Sequence, residues 1–108
     1  MIKDGKPYTN ENGWIDDALL TDLTQEEQET ALRWIRENIK PRKTPLRYRS
    51  SYGIKHILQS DEKLYLTNNQ FKHAMMLSGY EPVDPNALNW TYCISEKSPA
   101  FSYKRYEH

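Results

Sequence analysis

The sequence is poor in residues that cross-link, coordinate metals or span membranes. Its single cysteine, Cys93, excludes an internal disulfide and forms no zinc motif with the three scattered histidines. Four glycines stand singly, so no glycine-rich loop is available to wrap a nucleotide phosphate. No apolar run is long enough for a membrane span, and none near the start has signal-peptide length. These absences predict a cytoplasmic protein without cofactor, metal or membrane partner. A chain of 108 residues makes one small domain, which buries roughly two-thirds of its unfolded surface. That leaves room for one core of short helices, and too little for a deep active site beside a separate cofactor domain.

Charge is balanced overall, 15 basic against 15 acidic residues, but unevenly placed. Over 1–31 the acids Asp4, Glu11, Asp16, Asp17, Asp22, Glu26, Glu27 and Glu29 face only Lys3 and Lys6. Over 33–49 the sign reverses, with Arg33, Arg36, Lys40, Arg42, Lys43, Arg47 and Arg49 opposed by Glu37 alone. Such a split fits a local patch that meets a partner, or two segments that neutralise each other in the fold.

Three helices are expected. Thr24-x-x-Glu27 is a capping box, in which each side chain satisfies the other residue's free amide, and Pro41 stops the helix that follows. Gln28, Ala31, Leu32, Ile35 and Ile39 form its inward stripe, with Trp34 off the centre and facing the N-terminal arm. Ser50 or Ser51 caps a second helix whose apolar positions are Tyr52, Ile54, Ile57 and Leu58. Thr67-x-x-Gln70 is another capping box, opening a third helix that Gly79 closes. Phe71, Ala74, Met75 and Ser78 share its inner face; Asn68, Asn69, Lys72, His73 and Met76 share the other. Trp90, Tyr92 and Ile94 alternate with polar partners as in a half-buried strand, which is expected to pair with 64–66. In the arm, the Asn-Glu-Asn-Gly run at 10–13 marks a turn, and Trp14, Ile15, Leu19 and Leu20 are its anchors.

The fold class read from this order is α+β, mainly helical: a winged helix-turn-helix-like domain of three helices with a small two- or three-stranded antiparallel sheet. Its parts are an acidic, partly mobile arm at 1–22, the winged-helix-like domain at 23–100, and an aromatic and basic tail at 101–108. The expected core comprises Leu32, Ile35, Ile39, Ile54, Ile57, Leu58, Leu66, Phe71, Ala74, Met75, Trp90, Tyr92 and Ile94.

Catalysis requires a nucleophile with a base, paired carboxylates, a metal cluster or a phosphate cradle. None occurs at a recognisable spacing, so no enzyme is expected. Asp16-Asp17 sits in the arm, Asp61-Glu62 in a turn, and His56 and His73 on separate helices. Duplex DNA is a candidate partner, because a recognition helix offers its N-terminal polar residues to the major groove. Asn68 and Asn69 suit adenine, and Lys72 and His73 suit guanine or phosphate. Arg42, Lys43, Arg47 and Arg49 precede the second helix, whose start at Ser50 and Ser51 suits a phosphate. About five neutralised phosphates would give a log–log salt slope of roughly −4 to −5. The plainer reading is that an exposed helix face is polar in any case. A host protein is the other candidate partner: eight tyrosines and three tryptophans exceed what so small a core holds, and such residues lead interface hot spots.

The runs Ile39-Lys40-Pro41-Arg42-Lys43-Thr44, Ser51-Tyr52-Gly53-Ile54-Lys55-His56 and Tyr65-Leu66-Thr67-Asn68-Asn69-Gln70-Phe71-Lys72 carry a further signal. With Ala74-Met75, Gly79-Tyr80, Pro82-Val83-Asp84 and Asn89-Trp90, the chain resembles small uncharacterised proteins of Gram-positive phages, plasmids and integrative elements. The likeness covers about 24–100 and implies no particular activity. The element order is also similar to the winged-helix domain of phage and plasmid primases, an analogy of fold alone. Together these readings predict a non-enzymatic, DNA-binding accessory or regulatory protein of a mobile genetic element. The alternative is a protein-binding inhibitor or adaptor, such as a host-defence or anti-CRISPR-type inhibitor.

Overall fold

Turn chemistry organises the start of the chain. Asp4 and Gly5, at φ of 53° and 75°, reverse it between β1 (Ile2–Lys3) and β2 (Lys6–Pro7). Asn12 and Gly13, at 51° and 94°, do the same between β3 (Thr9–Glu11) and β4 (Trp14–Asp16). Two adjacent residues at positive φ twist a turn in the sense that paired strands require. The expected turn at 10–13 is therefore present, as the tip of a hairpin. The arm also contains the Asp4-Gly5 hairpin and a 3-10 turn at Leu20–Asp22. The computed structural model describes residues 1–102, so Tyr103, Lys104, Arg105 and Tyr106 of the expected tail lie outside the described residues.

Both capping boxes form. Thr24 Oγ1 accepts from Glu27 N at 3.1 Å, and Glu27 Oε1 accepts from Thr24 N at 3.0 Å, opening α1 (Gln25–Asn38). Thr67 and Gln70 make the same exchange, at 3.1 and 2.9 Å, at the start of α3 (Asn68–Leu77). Gly79 takes φ of 90° just beyond α3, and the amide of Tyr80 turns back to Met75 O at 2.9 Å. Between these helices, α2 (Ser51–Glu62) ends at Lys63 in the left-handed conformation.

The core lies where α1, α2, α3 and one strand meet. Of the expected core, Leu32 and Ile57 are half-buried at its edge and the other members are buried; Leu20, Ala31, Trp34, Leu46, Leu64 and Ala100 complete it. Trp34, expected off the centre of the inward stripe, is buried in this core. Its indole N–H donates to Asp61 Oδ2 at 2.8 Å, tying α1 to the end of α2. Asp61 and Glu62, expected in a turn, instead form the last residues of α2, where Asp61 holds Trp34 and Glu62 accepts from Arg33 at 2.9 Å. Tyr52, expected to face inward, is 51% exposed.

The sheet differs from expectation. Strand β6 (Tyr92–Ile94) pairs with β5 (Pro41–Leu46), in register Pro41 to Ile94 and Leu46 to Tyr92, and not with 64–66. Residues 64–66 show a strand's alternation, with Leu64 and Leu66 buried and Tyr65 exposed, but belong to no sheet among the described residues. Pro41 and Pro45 lack amide donors, so β5 pairs irregularly and bulges between the two register points. The guanidinium of Arg42 takes up the carbonyls this leaves, donating to Thr44 O at 2.9 Å and Pro45 O at 2.7 Å. The described residues form a compact α+β unit of three α-helices and small two-stranded antiparallel sheets, with a radius of gyration of 13.2 Å.

Candidate functional site

The outer face of α3 is covered. Asn69 and Lys72 are fully buried, and His73 is 7% exposed. The arm packs on them. Asn69 Nδ2 donates to Pro7 O and Ala18 O, each at 2.9 Å, while its Oδ1 accepts from Thr9 Oγ1 at 2.8 Å. Lys72 Nζ donates to Thr9 Oγ1 at 2.9 Å and Leu88 O at 2.6 Å, and lies 4.9 Å from the centre of the Trp90 ring. His73 Nδ1 accepts from the amide of Leu20 at 3.0 Å. The helix start is also taken, since Asp16 Oδ2 accepts from Asn69 N at 2.9 Å. The expectation that Asn69, Lys72 and His73 face outward is therefore corrected: their polar atoms satisfy the backbone and side chains of the arm.

The remaining expected contacts divide. Asn68 is half-buried, with its side chain bonded to Ser51 Oγ at 3.0 Å and Asn89 Oδ1 at 2.9 Å. Ser51 is buried; its amide donates to Trp90 O at 2.6 Å and its hydroxyl accepts from Trp90 N at 3.0 Å. The start of α2 thus holds the 84–90 connection where a phosphate was expected. Ser50 is the half-buried N-cap. Arg42 clamps its own bulge, and the Arg49 guanidinium stacks 4.7 Å from the Phe101 ring centre. Lys43 and Arg47 alone of the ten are exposed.

Burial sets the ionisation of the covered face. Lys72 is pushed down to about 8, chiefly by loss of solvent, with the Asp16 charge acting the other way. The His73 imidazole is held below its ordinary value by burial and by Lys6, against Asp22. An imidazole that accepts from an amide must be neutral at that nitrogen, so the hydrogen bond and the depressed pKa agree.

An open groove of about 420 Å³ lies beside this interface. One wall is the face of the β3–β4 hairpin on which Glu11 pairs with Trp14, and Thr9 with Asp16, across the strands. Strand periodicity places such cross-strand partners on one side of the hairpin. Tyr52 from α2, Asn68 from α3, and Leu88 and Asn89 from the connection complete the lining. Trp14 is 84% exposed and Ile15 55%, the former the most exposed large apolar side chain among the described residues. The hairpin end is held to the body: Asp16 bonds α3, and Thr9 bonds Asn69 and Lys72. Sequence reading named Trp14 and the Asn12-Gly13 turn but treated Trp14 as an anchor. The legible signal was the pairing that such a turn imposes on Glu11 and Trp14.

Among the described residues, no three or more histidine, cysteine, aspartate or glutamate side chains come together as a metal site, and no helix is long and apolar enough to cross a membrane. Comparison with known proteins matches the chain to no family model, no curated protein and no solved structure.

Proposed function

We propose that this chain is a non-enzymatic, protein-binding adaptor or inhibitor of the kind mobile genetic elements carry, and that its groove receives the partner. One observation carries the reading: Trp14 stands almost fully exposed on a hairpin that the rest of the molecule holds in place. Exposing an indole forgoes on the order of 2 kcal/mol of burial, and the exposed Tyr52 shares its groove. Tryptophan and tyrosine dominate interface hot spots because a large, stiff ring loses little entropy on docking. The alternative, a winged helix reading DNA through α3, is weakened because Asn69, Lys72 and His73 are spent on the arm. The likeness to phage and plasmid proteins supports the mobile-element context and is neutral between partners.

Affinity capture from a host lysate, with and without nuclease, tests the reading when wild type is compared with Trp14→Ala. A protein retained after nuclease and lost with Trp14→Ala is the expected result. Loss of all partners on nuclease treatment, or full retention by Trp14→Ala, would overturn it.

A further inference from the structure

Resting on the protein-docking reading above, we propose that the groove's occupant is a cationic protein segment, whose arginine side chain lies against Trp14 and Tyr52 and pairs with Glu11. Among the described residues the lining contains two carboxylates, Glu11 and Asp16, and no lysine or arginine. Asp16 is held in place by its bonds to Asn69 N at 2.9 Å and Ala18 N at 3.3 Å, while Glu11 is exposed. Register sets Glu11 directly across from Trp14, so a charge that stacks on the indole meets the carboxylate without moving the hairpin.

The molecule's own cations sharpen this. Lys3 lies over Tyr8 at 4.2 Å, Lys72 over Trp90 at 4.9 Å, and Lys55 at 5.2 and 5.6 Å from Tyr52 and Tyr65. Among the described residues none stacks on Trp14, the kind of ring that attracts a cation most strongly. Lys55, 5% exposed, lies 5.2 Å from the Tyr52 ring centre and His56 packs edge-to-face on the same ring at 4.6 Å, which leaves Trp14, among the described residues, as the groove ring without a stacked partner. A guanidinium fits better than an ammonium, because it is planar, weakly hydrated and forked toward a carboxylate. Its methylene stem would lie along Leu88. The two carboxylates disfavour a nucleic-acid occupant, whose phosphates they repel.

The test titrates the full chain with an acetylated peptide of alternating arginine and glycine, and with its citrulline counterpart, which keeps the shape and loses the charge. Nuclear magnetic resonance of the Trp14 indole N–H reads binding. The other two indoles are distinguishable, since Trp34 donates to Asp61 and Trp90 to Pro85 O. The expected result is a saturable shift with arginine, weaker by about fivefold or more with citrulline. Trp14→Ala should abolish the shift of the Glu11 amide, and Glu11→Gln should weaken binding several-fold. Trp14 is exposed, so its removal leaves the fold intact. Equal binding of both peptides overturns the cationic occupant and keeps the docking groove. Arginine binding undiminished in Trp14→Ala overturns it as diffuse attraction. A shift by neither peptide, with lysate capture still dependent on Trp14, overturns the cationic occupant alone. A rise in apparent mass on concentrating the free protein, abolished by Trp14→Ala, overturns it in favour of a second copy.

Discussion

The two faces of α3 are buried to the same degree by opposite means. Toward α1 and α2 it presents Phe71, Ala74 and Met75, each fully buried in the apolar core. Toward the arm it presents Asn69, Lys72 and His73, equally hidden but bonded to Pro7, Thr9, Ala18, Leu20 and Leu88. Apolar burial is non-directional and tolerates small shifts, whereas the polar layer holds only if each donor meets its acceptor. The first face makes the molecule compact. The second sets where the arm, and with it the Trp14 hairpin, sits.

Phe71→Ala should have the largest effect, about 3–5 kcal/mol by chemical denaturation. Loss should be global, with α1 and α2 unfolding together. Asn69→Ala strands two backbone carbonyls and the Thr9 hydroxyl, and should lower stability by roughly 2–3 kcal/mol. Here hydrogen exchange should show residues 1–20 losing protection before the helices do. Uniform loss in both variants would mean that the two faces form one cooperative unit.

Titration separates the faces next. The unfolded chain binds a proton at Lys72 up to about 10.4, whereas the native state gives it up near about 8. Over that window the unfolded state holds more protons, so stability should rise with pH. Lys72→Met should remove the rise. Above about 10 the slope should reverse, because burial raises the Tyr92 phenol and only the unfolded chain ionises there. In acid the His73 pKa lies below its unfolded value, so stability is complete above about 6.5 and falls as pH drops through the native value. Leu20 N then loses its acceptor, and arm amides should exchange faster at mildly acidic pH. A flat melting temperature across both windows would count against the polar layer. Smallest is Trp14→Ala, which should change stability by no more than about 0.5 kcal/mol, so any loss of binding in it reads the groove directly.

Local chemistry made much of this fold legible. Capping boxes at Thr24 and Thr67, the stop at Pro41, the left-handed Gly79 and the alternation at 90–94 all lie where the sequence places them. Such features depend on neighbours within a turn. Strand partnership was not legible, because residues 64–66 and 41–46 are both short extended runs, and which one β6 takes depends on how the helices stack. The Asp4-Gly5 turn was visible in principle and is of the same kind as Asn12-Gly13. As for the site, the sequence marks Trp14 as an anchor of the arm and Tyr52 as an apolar position of the second helix, and the structure exposes both.

Helix positions, caps, turns and the apolar stripe were set by the sequence alone, since each follows from backbone sterics and side-chain spacing within a few residues. Whether the polar face of α3 met solvent or the arm was decided only in three dimensions. Asn69, Lys72 and His73 carry the same hydrogen-bonding groups in either case, and periodicity cannot tell water from a carbonyl sixty residues away.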